Sequence, residues 1–184
     1  MYMSDQHIGK KMVEEEDLYL FLDAYEEVTG QALEVVGCGE RPDFICRRLT
    51  GELVGVELTR PQHDYEIARW DRIWAESLAM DPYDLLDAIH AIVAQKVRKR
   101  LRGDWRLPAN TILVVKLVDY TFGSLRWFSE QSLASDFASA GFAEIWVADH
   151  TQLDAHGAAR LIGLYPSDAW GARHQGAFHQ KPYG

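Results

Sequence analysis

The chain has 184 residues, 47% of them hydrophobic and 26% charged, which suits one globular domain able to bury a full core. A net charge of −9 argues against a general nucleic-acid coat, and no apolar run approaches the roughly 18–20 residues of a membrane span. The N-terminus lacks an apolar signal core and the only cysteines, Cys38 and Cys46, form no CxxC, so the expectation is a cytoplasmic protein with two reduced, buried thiols.

Taken in chain order, Leu18, Phe21, Leu22, Tyr25 and Val28 recur at helical spacing and predict a helix over 14–28, stopped at Gly30. It is strongly acidic, since residues 14–27 hold seven acids and no base. ALEVVGC (32–38) reads as a strand broken by Gly39 and Pro42. DFICRRL (43–49) and ELVGVELT (52–59) read as a hairpin turning at Thr50-Gly51. Residues 64–79 fit a helix with Ile67, Trp70, Trp74 and Leu78 on one side; its tryptophans suit a core or lid better than stacking on bases. A longer helix follows over 83–102, ended by Gly103. ILVVKLVDY (112–120) is almost continuously apolar, as a central strand covered on both faces should be. A helix near 124–140 precedes Gly141, AEIWVAD (143–149) and RLIGLYP (160–166) complete the strands, and residues 173–184 form a tail without periodicity. The expected fold is α/β: one domain over 1–172, with a central mixed sheet flanked by helices.

The hairpin raises a chemical question. It brings Asp43 and Glu57 to one edge of a sheet that otherwise reads as buried. Two close carboxylates repel unless one is protonated or a cation lies between them. Magnesium is the natural cation, being hard and accustomed to one or two carboxylates plus water and phosphate oxygens; the Leu58 carbonyl is a candidate third ligand. On the 83–102 helix, Leu85, Ile89, Ile92 and Lys96 are spaced by four, three and four, so Lys96 continues the apolar stripe inward. A lysine turned inward needs a partner, and the carboxylate pair supplies one; Lys99 lies at the edge of the same stripe, and Gln95 faces away as a helper at most.

The run 95–106, QKVRKRLRGDWR, holds six bases against one acid. Lys99, Arg100 and Arg102 are therefore the candidate nucleic-acid contacts, although basic side chains also favour helix C-termini for electrostatic reasons. The seven histidines form no zinc-binding spacing, and no GxGxxG, P-loop or GxSxG appears.

An acidic first helix, Pro42-Asp43, a hairpin, Glu57-x-Thr59, a helix and then an apolar strand together resemble the PD-(D/E)xK superfamily of restriction-endonuclease-like nucleases, over roughly residues 14–120. The resemblance implies an α-β-β-β-α-β core and a phosphodiester hydrolase dependent on Mg²⁺ or Mn²⁺, with nucleic acid as partner and homodimers common. Asp43 and Glu57 match the motif's metal-binding acids, and a first-helix acid would join them: Glu15, Glu16 or Glu26, with Glu15 favoured because it shares a face with Leu18, Leu22 and Tyr25. The departure is Thr59 at the motif's lysine position. Some members take the lysine from the following helix, where Lys96 and Lys99 lie, and Lys96 is then the catalytic lysine. The alternative is a catalytically inactive member serving as a protein- or nucleic-acid-binding module; a hydrolase of another phosphate ester is a third.

Overall fold

The computed structural model describes residues 5–60, 82–103, 105–107, 109–118, 137–150, 153 and 157–166. Within them lie helix α1 (Asp5–Thr29), strands β1 (Leu33–Cys38), β2 (Phe44–Arg48) and β3 (Leu53–Thr59), helix α2 (Pro82–Leu101), strand β4 (Thr111–Leu117), a single 3-10 turn (Ala138–Ala140), and strands β5 (Glu144–Asp149) and β6 (Arg160–Tyr165). The helix expected over 64–79, the tail from 173 and most of the helix expected near 124–140 lie outside the described residues. Gly30 closes α1 in a left-handed conformation (φ +70°), and its N–H donates to the Glu26 carbonyl at 2.8 Å.

The six strands lie in sequence order, β1-β2-β3-β4-β5-β6. β1–β2, β2–β3 and β5–β6 pair antiparallel, whereas β3–β4 and β4–β5 pair parallel. The protein is thus α/β with a mixed sheet. Its parallel centre reads as a parallel centre should: every residue of β5 is buried, and so are Ile112, Leu113, Val114, Val115 and Leu117 of β4.

Strand alternation divides the core into two layers. On one face, Leu18, Phe21 and Tyr25 of α1 pack on Val54, Val56, Ile112, Val114 and Trp146. On the other, Ile89, Ile92 and Val93 of α2 pack with Leu113, Val115, Leu117, Ile145 and Val147. Each central strand serves both layers, which is why neither helix face alone encodes the whole core. Cys46 is buried in the α1 layer, and burial pushes its thiol up to about 11. Cys38, expected to be buried too, is exposed at the edge-strand end. No helix among the described residues is long and apolar enough to cross a membrane.

A buried polar network joins α1, β2 and β5. The Tyr25 hydroxyl and Arg48 both donate to Glu144 Oε1, at 3.0 and 2.6 Å, and Trp146 Nε1 donates to Glu144 Oε2 at 2.8 Å. Arg48 also donates to the Tyr25 hydroxyl at 3.0 Å. Burial, then the Glu144 charge, push Tyr25 up to about 12. A buried carboxylate is tolerated here because three donors from three elements surround it.

Candidate active site

The β2–β3 register sets Phe44 opposite Val56. One step further along the antiparallel ladder, Asp43 falls opposite Glu57. Val54 and Val56 turn to the α1 layer, so alternation turns Glu57 to the α2 side of the sheet. Asp43 is held there by the backbone of the adjacent strand: Leu58 N–H donates to Asp43 Oδ2 at 2.8 Å. The approach of the Pro42 ring to β3 demands glycine at 55, since a Cβ there would lie 2.6 Å from Pro42 Cγ and 2.8 Å from Thr111 Oγ1. Gly55 is therefore what lets the Pro42-Asp43 segment close onto the hairpin.

From the α2 layer, Lys96 continues the stripe of Ile89, Ile92 and Val93 and reaches the same place. Its Nζ lies 2.5 Å from Glu57 Oε1 and 3.4 Å from the Leu58 carbonyl oxygen. Both side chains are largely withdrawn from water, at 12% and 6% exposure. Only one oxygen of Glu57 is answered in this way, and Oε2 is buried without a hydrogen-bond partner among the described residues. Asp43 is pushed up to about 7, first by burial and next by the Glu57 charge, with Glu14 adding to both; the Leu58 N–H and Lys96 oppose them. Among the described residues, Asp43 and Glu57 thus form a pair of acids answered by one lysine, with one oxygen left over.

That donor set fits a hard divalent cation. Among the described residues no three His, Cys, Asp or Glu side chains converge into a ready cation cage. A cation between Asp43 and Glu57 would complete its shell from the Leu58 carbonyl and water, as Mg²⁺ commonly does. Mn²⁺ accepts the same oxygen donors.

The site opens into a cavity of about 450 Å³ whose wall includes Asp43, Leu58, Thr59, Gln95, Lys96 and Lys99. It lies at the carboxyl ends of β3, β4 and β5, where ligands characteristically bind in open α/β sheets. Thr59 is in this wall, and the ammonium group beside Glu57 comes from Lys96 of α2.

The first helix meets the cavity through Glu14, while the favoured Glu15 is exposed and not part of the wall, as is Glu16; Glu26 is likewise exposed. The reason is helix phase. The buried stripe runs through Leu18, Phe21 and Tyr25 rather than Leu18, Leu22 and Tyr25, which turns the centre of the inward face by roughly 30° toward Glu14 and away from Glu15.

Phase also redistributes the basic run. Lys99 is exposed and lines the cavity, and Arg102 is exposed beyond the end of α2. Arg100, four residues after Lys96, follows it inward: its guanidinium lies over the Phe142 ring at 5.1 Å and donates to the carbonyls of Ala140, at 2.8 Å, and Gly141. It fastens α2 to the segment before β5, which leaves Lys99 and Arg102 as the outward members of the expected nucleic-acid trio.

A second charged group in the wall went unread in the sequence. Lys116 Nζ, from β4, lies 2.5 Å from Asp17 Oδ1 on α1. His150, just past β5, brings Nδ1 to 3.8 Å from the same oxygen. His150 is buried, and burial and then Lys116 pull its imidazole below the ordinary histidine value, against Asp17 and Asp149. Two sequence signals were available: Lys116 is the one charge inside ILVVKLV, and His150 follows the last residue of a wholly buried strand.

Comparison with protein-family models, with curated proteins and with solved structures gave no match to this chain.

Proposed function

We propose that this protein is a metal-dependent phosphodiester hydrolase acting on nucleic acid in the cytoplasm, on a PD-(D/E)xK-type core. The observation that carries the reading is the convergence of Asp43, Glu57 and Lys96 at the carboxyl end of β3, with Glu57 Oε2 left without a partner among the described residues. The described order α1-β1-β2-β3-α2-β4 supports it, since it matches the α-β-β-β-α-β core that the sequence resemblance implies.

Asp43, Glu57 and the Leu58 carbonyl would hold the cation, with Glu14 nearby. When bound, a divalent cation lowers the pKa of coordinated water and neutralises phosphate charge. The chain's own residues divide the remaining work. Lys96 sits against Glu57, where its ammonium orients the attacking water and offsets negative charge gathering on the phosphate oxygens. Asp43 is fixed by the Leu58 N–H, so its carboxylate needs little reorganisation. Lys99, on the cavity rim, attracts the phosphate backbone.

A second reading is a catalytically inactive binding module of the same fold. Thr59 at the motif's lysine position favours it, as does a lysine already answering one oxygen of Glu57. Incubating labelled single- and double-stranded DNA and RNA with the purified protein and Mg²⁺ or Mn²⁺, beside Asp43→Asn, separates the two. The hydrolase reading expects metal-dependent cleavage that Asp43→Asn abolishes; equal cleavage by both proteins refutes the role of Asp43, and none by either on any substrate favours the binding module.

A further inference from the structure

We propose that Lys116 and His150, held by Asp17, form a second phosphate-binding position in the cavity, which takes the phosphate adjoining the one that is cut. This rests on the phosphodiesterase reading for its choice of substrate, though not for the presence of an anion site.

The geometry comes from the sheet. β4 and β5 run parallel and end together, with Lys116 paired to Ala148 across the ladder. Lys116 therefore leaves β4 beside the point where the chain passes from β5 into His150, and both side chains line the cavity. Val114, which shares Lys116's face, belongs to the α1 layer, whereas Glu57 and Lys96 meet on the α2 side. The cavity thus wraps the carboxyl edge of the sheet, with one charged group on each side. A nucleic-acid strand presents phosphates in succession, and a cavity with a lysine on each side of the sheet edge, Lys96 and Lys116, can engage two of them.

The chemistry of the Asp17 group supports an anion site over a closed ion pair. A lysine ammonium has three donors. Asp17 Oδ1 accepts one of them, and the others meet no acceptor among the described residues. His150 is directed at that same oxygen but at 3.8 Å, beyond hydrogen-bonding distance, so a single carboxylate oxygen serves two basic groups. Lys116 is 14% exposed and Asp17 16%, so both reach the cavity while the carboxylate keeps the flexible lysine stem in place. An entering phosphate oxygen competes with Asp17 for the ammonium and for its two remaining donors. Asp17 then acts as a positioning residue that also weakens the site.

That competition gives a test with opposite signs. In metal-free buffer, inorganic phosphate is titrated into the full chain while the His150 ring resonance, assigned by its loss in His150→Gln, is followed by NMR. Wild type is expected to show a saturable shift. Lys116→Gln should weaken binding about tenfold, the worth of one charge-assisted hydrogen bond. Asp17→Asn should tighten it at least about threefold, because the competing carboxylate is gone. A merely structural ion pair predicts the reverse for Asp17→Asn, since the change would loosen Lys116. No shift in wild type, or an affinity in Asp17→Asn equal to or weaker than wild type, overturns the proposal, and this holds even if Lys116→Gln fails to fold. The strand assignment is read by comparing a dithymidine with one phosphate and a trithymidine with two. The second phosphate should add affinity in wild type and add none in Lys116→Gln; no added affinity in wild type would refute the assignment to a neighbouring phosphate. Because every readout is binding without metal, absence of hydrolysis would sink the enzymatic reading and leave this result standing.

Discussion

Replacing Lys96 by methionine should reveal how far the Lys96–Glu57 contact is a structural ion pair and how far a catalytic one. The two side chains are 12% and 6% exposed and meet at 2.5 Å, so Lys96→Met strands a buried carboxylate whose other oxygen has no partner among the described residues. Breaking a buried pair from one side costs about 3–5 kcal/mol. For a chain of this length that is a fall in melting temperature of roughly 6–20 °C. Removing both charges is far less costly, so Lys96→Met with Glu57→Gln should recover most of the loss, giving a coupling energy of roughly 2–4 kcal/mol in urea unfolding. Activity should not follow stability: the double variant is expected to fold well and remain inert. If Lys96→Met costs under about 1 kcal/mol, the contact behaves as an exposed pair and the burial argument is wrong. If the double variant hydrolyses nucleic acid as wild type does, the catalytic assignment of both residues is wrong.

Three further outcomes follow from the same geometry. Gly55→Ala drives a methyl group into Pro42 and Thr111 and should cost about 1–3 kcal/mol, with a parallel loss of Mn²⁺ affinity because the Asp43 segment is pushed off β3; calorimetry that finds metal binding intact would contradict the second part. Glu144→Leu removes the acceptor of Tyr25, Arg48 and Trp146 and should destabilise by about 3–5 kcal/mol, whereas Tyr25→Phe should cost only about 1 kcal/mol, as read by urea unfolding. In metal-free protein the Asp43 carboxyl is raised from the ordinary value near 3.8 to about 7, so the folded state holds its proton more tightly than the unfolded chain does. Its contribution to stability is present below about pH 4 and lost as pH rises through about 7. Asp43→Asn should flatten that part of the stability–pH curve, and an unchanged curve would show that Asp43 is not the group responsible.

The sequence made the frame of the site readable because strand and helix periodicities are local properties. Asp43 and Glu57 could be paired from a two-strand alternation and a turn at Thr50-Gly51, and Lys96 could be turned inward from three apolar positions on its own helix. Glu15 against Glu14 turned on whether Phe21 or Leu22 centres the buried stripe, and a run of apolar residues on adjacent positions, LYLFL, leaves that phase ambiguous by one residue. Arg100 shows the opposite difficulty: its role depends on Phe142 and on carbonyls some forty residues away, which no local pattern encodes. The Asp17–Lys116–His150 group was hidden for the same reason, since it is assembled from three elements by the parallel pairing of β4 with β5. Cys38 looked buried from its strand, but β1 is the sheet edge and its burial alternates.

The measurement closest to the central claim, that Asp43 and Glu57 act together on a divalent cation, is a calorimetric titration of Mn²⁺ into wild type, Asp43→Asn and Glu57→Gln. Saturable binding by wild type, weakened at least about tenfold by either single substitution and by no more when the two are combined, is the predicted result for one shared site. Binding that is indifferent to both substitutions, or that is absent from wild type, would contradict it.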